Sequence, residues 1–367
     1  SPMTRPSRPQ LLVTVLDWGM GHATRTWPLI EHALGEGWHV HVASKGTALA
    51  WLHSRAGELD QPRLTFHVKP GPDIKYARRG NFWRIAWQMP AFVAYVERER
   101  TWAQDMAQTL YLDAILSDNC YGCTVTGVPS VLMSHQLQIP TPKWLEGPAR
   151  SIVQRWAQAF DEVWVPDLAP GETSLSGALA DAQVHPRTQY IGVLSRLAMH
   201  KQSTPSQKWA KVGMVSGVEP HRSLMEAALR TWMADAEGPC LIIAGQPGGG
   251  TRQDGHITTW RDPTDAELAS ALQSAGTVVC RSGYSSQLDL SALGARAILI
   301  PTPGQPEQAL LGKLWSERFG FVCLTQRQLE AGELPEHATG SLPELKPNVR
   351  AFAHLSRWLH KAAAQPA

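Results

Sequence analysis

VVCRSGYSSQLDLSALGARAILIPTPGQPEQALLGKLW, residues 278–315, is the stretch on which the fold turns. A short apolar run over 277–282 breaks at Arg281-Ser282-Gly283-Tyr284, and a helical segment follows over 285–294. The pattern then repeats at once. A strand is expected over 296–301, a turn at Pro301-Thr302-Pro303-Gly304-Gln305-Pro306, and a helix over 307–320. Short apolar runs bounded by Gly and Pro read as buried strands, and longer runs at a period near 3.6 read as helices. Two strand–turn–helix units in succession build a parallel sheet with helices on its faces.

Working outward, the same alternation fills most of the chain. Strands are expected at 211–216 and 239–245, helices at 220–236 and 265–276, and a last helix at about 347–364. Upstream, LLVTVL (11–16) is a strand. A Gly-containing turn and a helix over 23–37 follow, with Pro28 near the first turn. Further strands are expected at 38–44, 63–68, 113–118, 129–134 and 161–167, with helices at 46–56 and within 81–110. Residues 192–208 are polar, carry Ser, Thr and Pro, and read as a linker. The expectation is two doubly wound, Rossmann-like α/β domains. The first covers 1–194 and the second 195–346, while 347–367 form a C-terminal helix packing back on the first. Open parallel sheets bind ligands outside the carboxyl ends of their strands, so the cleft faced by both domains is the expected site.

Composition excludes several classes. With 43% hydrophobic and 18% charged residues in 367, the chain is an ordinary globular protein, not a disordered one. Lys+Arg is 34 and Asp+Glu is 32, so the net charge is +2 and a general nucleic-acid binder is not expected. No apolar run approaches the length of a membrane span. The opening SPMTRPSRPQ has no apolar leader core, and its first three residues read as an expression scar. Five cysteines form no disulfide framework and suit a reducing, cytoplasmic setting. Cys120 and Cys123 form a CxxC pair without the second pair a zinc site needs, so they read as two ordinary thiols on a loop-to-helix turn.

Candidate chemistry lies at the strand ends. Strand 11–16 runs into Asp17-Trp18-Gly19-Met20-Gly21-His22. Glycines there let backbone amides approach a ligand, and His22 can serve as a general base near neutral pH. GMGHAT lacks the GxGxxG spacing of a dinucleotide site. Asp118, Asn119, His135 and Gln136 fall at predicted ends of neighbouring strands. Asp118 is the second candidate base; the other reading is an Asp–His pair that only orders loops. In the second domain, Arg281, Ser282, Gly283, Tyr284, Asp289, Gln305, Glu307 and Gln308 offer amides, a carboxylate and amide side chains together. That set suits a nucleotide-sugar. Asp289 would take ribose hydroxyls, Ser282 and Gly283 a diphosphate, and Glu307 and Gln308 sugar hydroxyls. The plainer reading has Asp289 facing solvent. IIAGQPGGG (242–250) reads equally as a donor contact or a loop.

These blocks resemble a known family. CRSG…LD…ALG…LIPTPGQPEQ is similar to the donor-binding block of family 28 glycosyltransferases of the GT-B fold, and the Met20-Gly21-His22 turn resembles that family's Gly-Gly-His turn. The resemblance implies Asp289 at the ribose hydroxyls, Gln308 at the donor sugar with Glu307 beside it, and domain closure over the donor. VSGVEPHRSLMEAAL (215–229) resembles the family's Gly-rich turn, which puts Ser216 and Gly217 near the donor diphosphate. Arg222 could pair with a phosphate there. The family's turn is richer in glycine. Ser117-Asp118-Asn119-Cys120-Tyr121-Gly122, Ser134-His135-Gln136 and GVLSR with Ser195-Arg196 are similar to a bacterial subgroup.

The resulting expectation is an inverting, metal-independent transfer from a nucleotide-sugar co-substrate, a UDP-sugar by analogy, to an acceptor hydroxyl, with no further cofactor. A nucleotide-sugar hydrolase of the same fold carries a GH-x-x-R turn that Gly21-His22-Ala23-Thr24-Arg25 resembles; there His22 would activate water. A non-catalytic sugar-nucleotide binder is the third reading. RRGNFWRIAWQMPAFVAYVERER (78–100) combines Arg78, Arg79 and Arg84 with Phe82, Trp83, Ile85, Trp87, Met89, Phe92, Val93 and Tyr95. It reads as a core-facing helix, a pocket for an apolar or lipid-linked acceptor, or a weak membrane-surface contact at the inner face.

Overall fold

The structure is a computed structural model, and it describes residues 4–18, 20–57, 62–71, 89–135, 146–169, 174–177, 185–246 and 248–365. The chain divides into two compact units. One is Ser1–Leu194 with Asn348–Ala367; the other is Ser195–Pro347.

The first unit contains β1 (Gln10–Val15), α1 (Gly21–Gly35), β2 (His39–Ser44), α2 (Gly46–Ala56), β3 (Leu64–Val68), α3 (Met89–Leu110), β4 (Ala114–Asp118), β5 (Ser130–Met133), α4 (Glu146–Gln158), β6 (Glu162–Val165) and β7 (Thr188–Tyr190). Its strands form one sheet in the order β3-β2-β1-β4-β5-β6-β7, and every pairing is parallel. β1 is buried at all its positions because helices or loops cover both faces, which is why QLLVTV reads as a continuous run rather than an alternation. The order reverses between β1 and β4, where Val15 lies opposite Asp118. That reversal is the switch point at which such sheets bind ligands. Pro28 is the eighth residue of α1, deeper than the first turn expected for it.

The second unit contains β8 (Trp209–Met214), α5 (His221–Ala234), β9 (Cys240–Ile243), β10 (Thr251–Asp254), β11 (Ile257–Trp260), α6 (Asp265–Gln273), β12 (Ala275–Cys280), α7 (Tyr284–Leu293), β13 (Ile298–Leu299), α8 (Pro306–Phe319) and α9 (Gln326–Glu330). The sheet order is β10-β11-β9-β8-β12-β13, parallel except for the β10–β11 hairpin. The hairpin was not expected from the sequence. β10 (TRQD) is exposed and polar, so no apolar run marks it; the signal is Gly255, which opens the two-residue turn Gly255-His256. α7 stops at Gly294, whose φ of 64° closes the helix in the left-handed conformation.

The final helix, α10 (Val349–Ala364), belongs to the first unit. Ala351, Leu355, Trp358, Leu359 and Ala362 join the core built by α1, β1 and β2. Residues 192–208 are not wholly a polar linker. Val193, Leu194, Ser195 and Leu197 are buried, and a short 3-10 turn follows at Ala198–His200. A stretch too short for a period hid this burial.

Candidate active site

In the first unit, three strand ends and one helix start converge. His22 is the second residue of α1, Asp118 the last of β4, and His135 follows β5 by two. His22 Nδ1 lies 3.0 Å from Asp118 Oδ1. Arg25, one helical turn after His22, donates from Nε to Asp118 Oδ2 at 3.0 Å and from a terminal nitrogen to Oδ1. Thr26 adds its hydroxyl to Oδ2. The remaining terminal nitrogen of Arg25 reaches His135 Nδ1 at 2.6 Å. Asp118 is 0% exposed and Arg25 is 3% exposed. Burial alone would raise the Asp118 pKa. The Arg25 guanidinium and the His22 ring outweigh it and hold the carboxyl well below its ordinary value.

This geometry separates the two candidate bases. Asp118 is sealed from solvent and accepts from four donors, so it has no lone pair to offer a substrate and little affinity for a proton. It orients His22 instead. An ionised carboxylate only accepts, so in the neutral ring His22 Nδ1 carries the proton and Nε2 keeps the lone pair. Asn119 follows in the left-handed conformation (φ 58°), donates its amide to Met133 O at 3.0 Å, and leaves its side-chain Oδ1 buried without a partner. Gly21 opens α1. Gly19 and Gln136 lie outside the described residues.

In the second unit, the turns after β8, β12 and β13 meet around Arg281, which is 2% exposed. Its guanidinium donates to Ser216 O, His221 O and Ile300 O, each at 3.3 Å, and among the described residues to no carboxylate. Burial draws its pKa down to about 10, so it stays charged at neutral pH. Gly217 has φ 106°, and a Cβ there would lie 3.5 Å from Thr302 Oγ1. That hydroxyl is buried without a partner. Gln308 is tied into the same group. Its Oε1 accepts from the Thr302 amide at 2.8 Å, its Nε2 donates to Gln305 Oε1 at 3.1 Å, and its carbonyl accepts from Ser282 Oγ at 2.7 Å. Gly283 and buried Tyr284 begin α7, half-buried Glu307 lies in the first turn of α8, and Arg222 donates to Ala244 O at 2.7 Å.

Asp289 is placed differently. It sits in the second turn of α7, is buried rather than solvent-facing, and accepts from Ser195 Oγ at 2.6 Å. Burial pushes its pKa up to about 6; Arg196 and Ser195 oppose the rise and Asp265 adds to it. Arg196 pairs with Asp265 at 3.2 Å. In the sequence, Ser195 and Arg196 stand out only as part of a similar motif, and no local pattern marks Thr302.

Cys120 and Cys123 are buried free thiols in the β4–β5 connection, which contains no helix. Glu99 lies within 4.8 Å of both, but its carboxylate accepts from Lys69 at 2.6 Å, from the Gly122 amide at 2.8 Å and from Tyr95. The Lys69 ammonium is therefore the cation of that cluster. Of the aromatic stretch, 78–88 lie outside the described residues. Beyond them, Phe92 and Tyr95 pack in the core with Trp156 while Val93 is exposed. Among the described residues no helix is long and apolar enough to cross a membrane.

Comparison with known proteins agrees with this architecture. Residues 259–344 match the glycosyltransferase family 28 C-terminal domain. No curated protein matches by sequence. Among solved structures, the calicheamicin glycosyltransferase CalG4 is similar with a TM-score of 0.61 at 12% identity, covering 97% of this chain and 95% of that one. The spinosyn rhamnosyltransferase SpnG complexed with thymidine diphosphate gives 0.58 at 15% identity, covering 97% and 92%. Arabidopsis thaliana UGT89C1 gives 0.59 at 15% identity, covering 97% and 95%. The chain has the GT-B fold, and over 259–344 it resembles the family 28 glycosyltransferases.

Proposed function

We propose that this protein is a glycosyltransferase in which the second unit holds a nucleotide-sugar and the first supplies the base. The observation that carries the reading is His22, oriented by a buried Asp118 at the switch point of the first sheet. In the reaction, the acceptor O–H bond breaks and its proton passes to His22 Nε2. The acceptor oxygen bonds the anomeric carbon as the bond from that carbon to the diphosphate oxygen breaks, with inversion. Arg281, charged and without a carboxylate partner among the described residues, and the amides opening α5 meet the charge of the departing nucleoside diphosphate in place of a metal. Ser216, Gly217, Arg222, Ser282 and Gly283 would contact the diphosphate, Gln305, Glu307 and Gln308 the sugar, and Asp289 the ribose. Tyr284 would line the donor. Gly21, Asn119 and His135 fall to the acceptor side.

A UDP-sugar is the first donor to test. Structural neighbours are described with both thymidine diphosphate and UDP-L-rhamnose, so dTDP-sugars stand beside it. Thermal shift with UDP, dTDP, GDP and ADP should show stabilisation by one of them. His22→Ala should leave that shift intact and lower turnover by about 10²–10⁴-fold, and EDTA should change neither. Donor cleaved as fast without any acceptor would favour the hydrolase, with the same His22 activating water. No nucleotide shift at all would defeat the donor-site assignment.

A further inference from the structure

We propose that Arg25 is the positioning residue of the first unit's site, holding His22 and His135 in opposite imidazole tautomers at once. Its catalytic consequence rests on the reading of His22 as base; the tautomers themselves do not.

Which groups can donate fixes both tautomers. A guanidinium has five N–H donors and no acceptor, and it stays charged in proteins. Arg25 reaches His135 Nδ1 at 2.6 Å, so that nitrogen must present its lone pair and the ring proton must sit on Nε2. The same guanidinium engages both oxygens of Asp118, which faces His22 Nδ1 at 3.0 Å. That nitrogen must carry a proton, which in the neutral ring leaves the lone pair on Nε2. One ring thus presents an acceptor at Nε2 and the other a donor at Nε2. Asp118 cannot turn away, because Arg25 and Thr26 occupy the positions left by His22. Arg25 is 3% exposed and spans the ends of β4 and β5, so water cannot replace it on both partners.

A bland alternative is that Arg25 only neutralises the buried Asp118. Lysine separates the two. It keeps the charge, but an ammonium is a point donor and cannot hold both carboxylate oxygens and His135 together. Long-range proton–nitrogen NMR on the ¹⁵N-histidine-labelled full chain reads each tautomer, with His22→Gln and His135→Gln assigning the signals among 14 histidines. In the unsubstituted protein, His22 should be protonated at Nδ1 and His135 at Nε2. Arg25→Lys should lose the single His135 tautomer, with kcat falling at least about tenfold and the donor KM unchanged.

The same tautomer on both rings in the unsubstituted protein would overturn the proposal, and this outcome needs no variant to fold. So would Arg25→Lys with both tautomers and kcat retained. If His22→Gln retains full turnover while the tautomers are as expected, the base assignment fails and the role of Arg25 in ordering the rings stands.

Discussion

At the scale of single residues, two charged groups mark the proposed site. Asp118 is buried with its counter-charge, and Arg281 is buried without one among the described residues. A buried cation satisfied only by carbonyls is stable enough to fold yet still lacks an anion, which is what a diphosphate supplies. Arg281→Met should therefore weaken nucleoside diphosphate binding at least about tenfold, a loss of 1.4 kcal/mol or more. The outcome to check by calorimetry is that the loss exceeds that for a nucleoside without phosphate, which should bind unchanged. If both weaken equally, Arg281 only organises the turns.

At the scale of elements, β2 and β3 carry a histidine cluster that includes none of the proposed site residues. His41 bonds Gln10 Oε1 at 2.7 Å and His67 Nε2 at 3.0 Å, and His39 stacks on it. Burial, reinforced by His39 and His67, draws the His41 pKa down to about 3. The unfolded chain binds that proton near pH 6.5. Between about 6.5 and 3 the unfolded state holds more protons, so stability falls as pH falls, by up to about 1.4 kcal/mol per pH unit. Above the window the group has no effect. His41→Gln should flatten urea-measured stability between pH 6 and 4, above the range where protonation of Asp118 enters. An unchanged slope would place the acid sensitivity elsewhere.

At the scale of the whole molecule, each unit has its own core. Trp358 of α10 packs edge-on against Trp164 at 5.6 Å in the first, while Met225, Leu229 and Ile242 belong to the second. Thermal unfolding should show two transitions. Trp358→Ala should lower one by about 3–5 kcal/mol. A saturating nucleotide at 100 times its Kd should raise the other by about 2.7 kcal/mol. A single transition moved by both would mean that the units unfold together.

The amino-acid sequence by itself determined the alternation of strands and helices, and with it the strand ends where His22, Asp118, His135 and Arg281 fall. Apolar period and Gly/Pro punctuation are local properties, readable within about 10 residues. It left α4 unread, and it left β7 and the β10–β11 hairpin unread because a polar edge strand has no core-facing run to betray it. Tertiary structure alone decided what those residues touch. His22 and Asp118 are 96 positions apart, and Arg25 and His135 are 110 apart. Their hydrogen-bond directions follow from the order in which strands pair, which no local pattern encodes. So the sequence offered Asp118 as a base, and the fold made it the carboxylate that aims His22. It offered Asp289 facing either ribose or solvent, and the fold buried it against Ser195. Residue type limits what a side chain can do, and its partners across the sheet select among those possibilities.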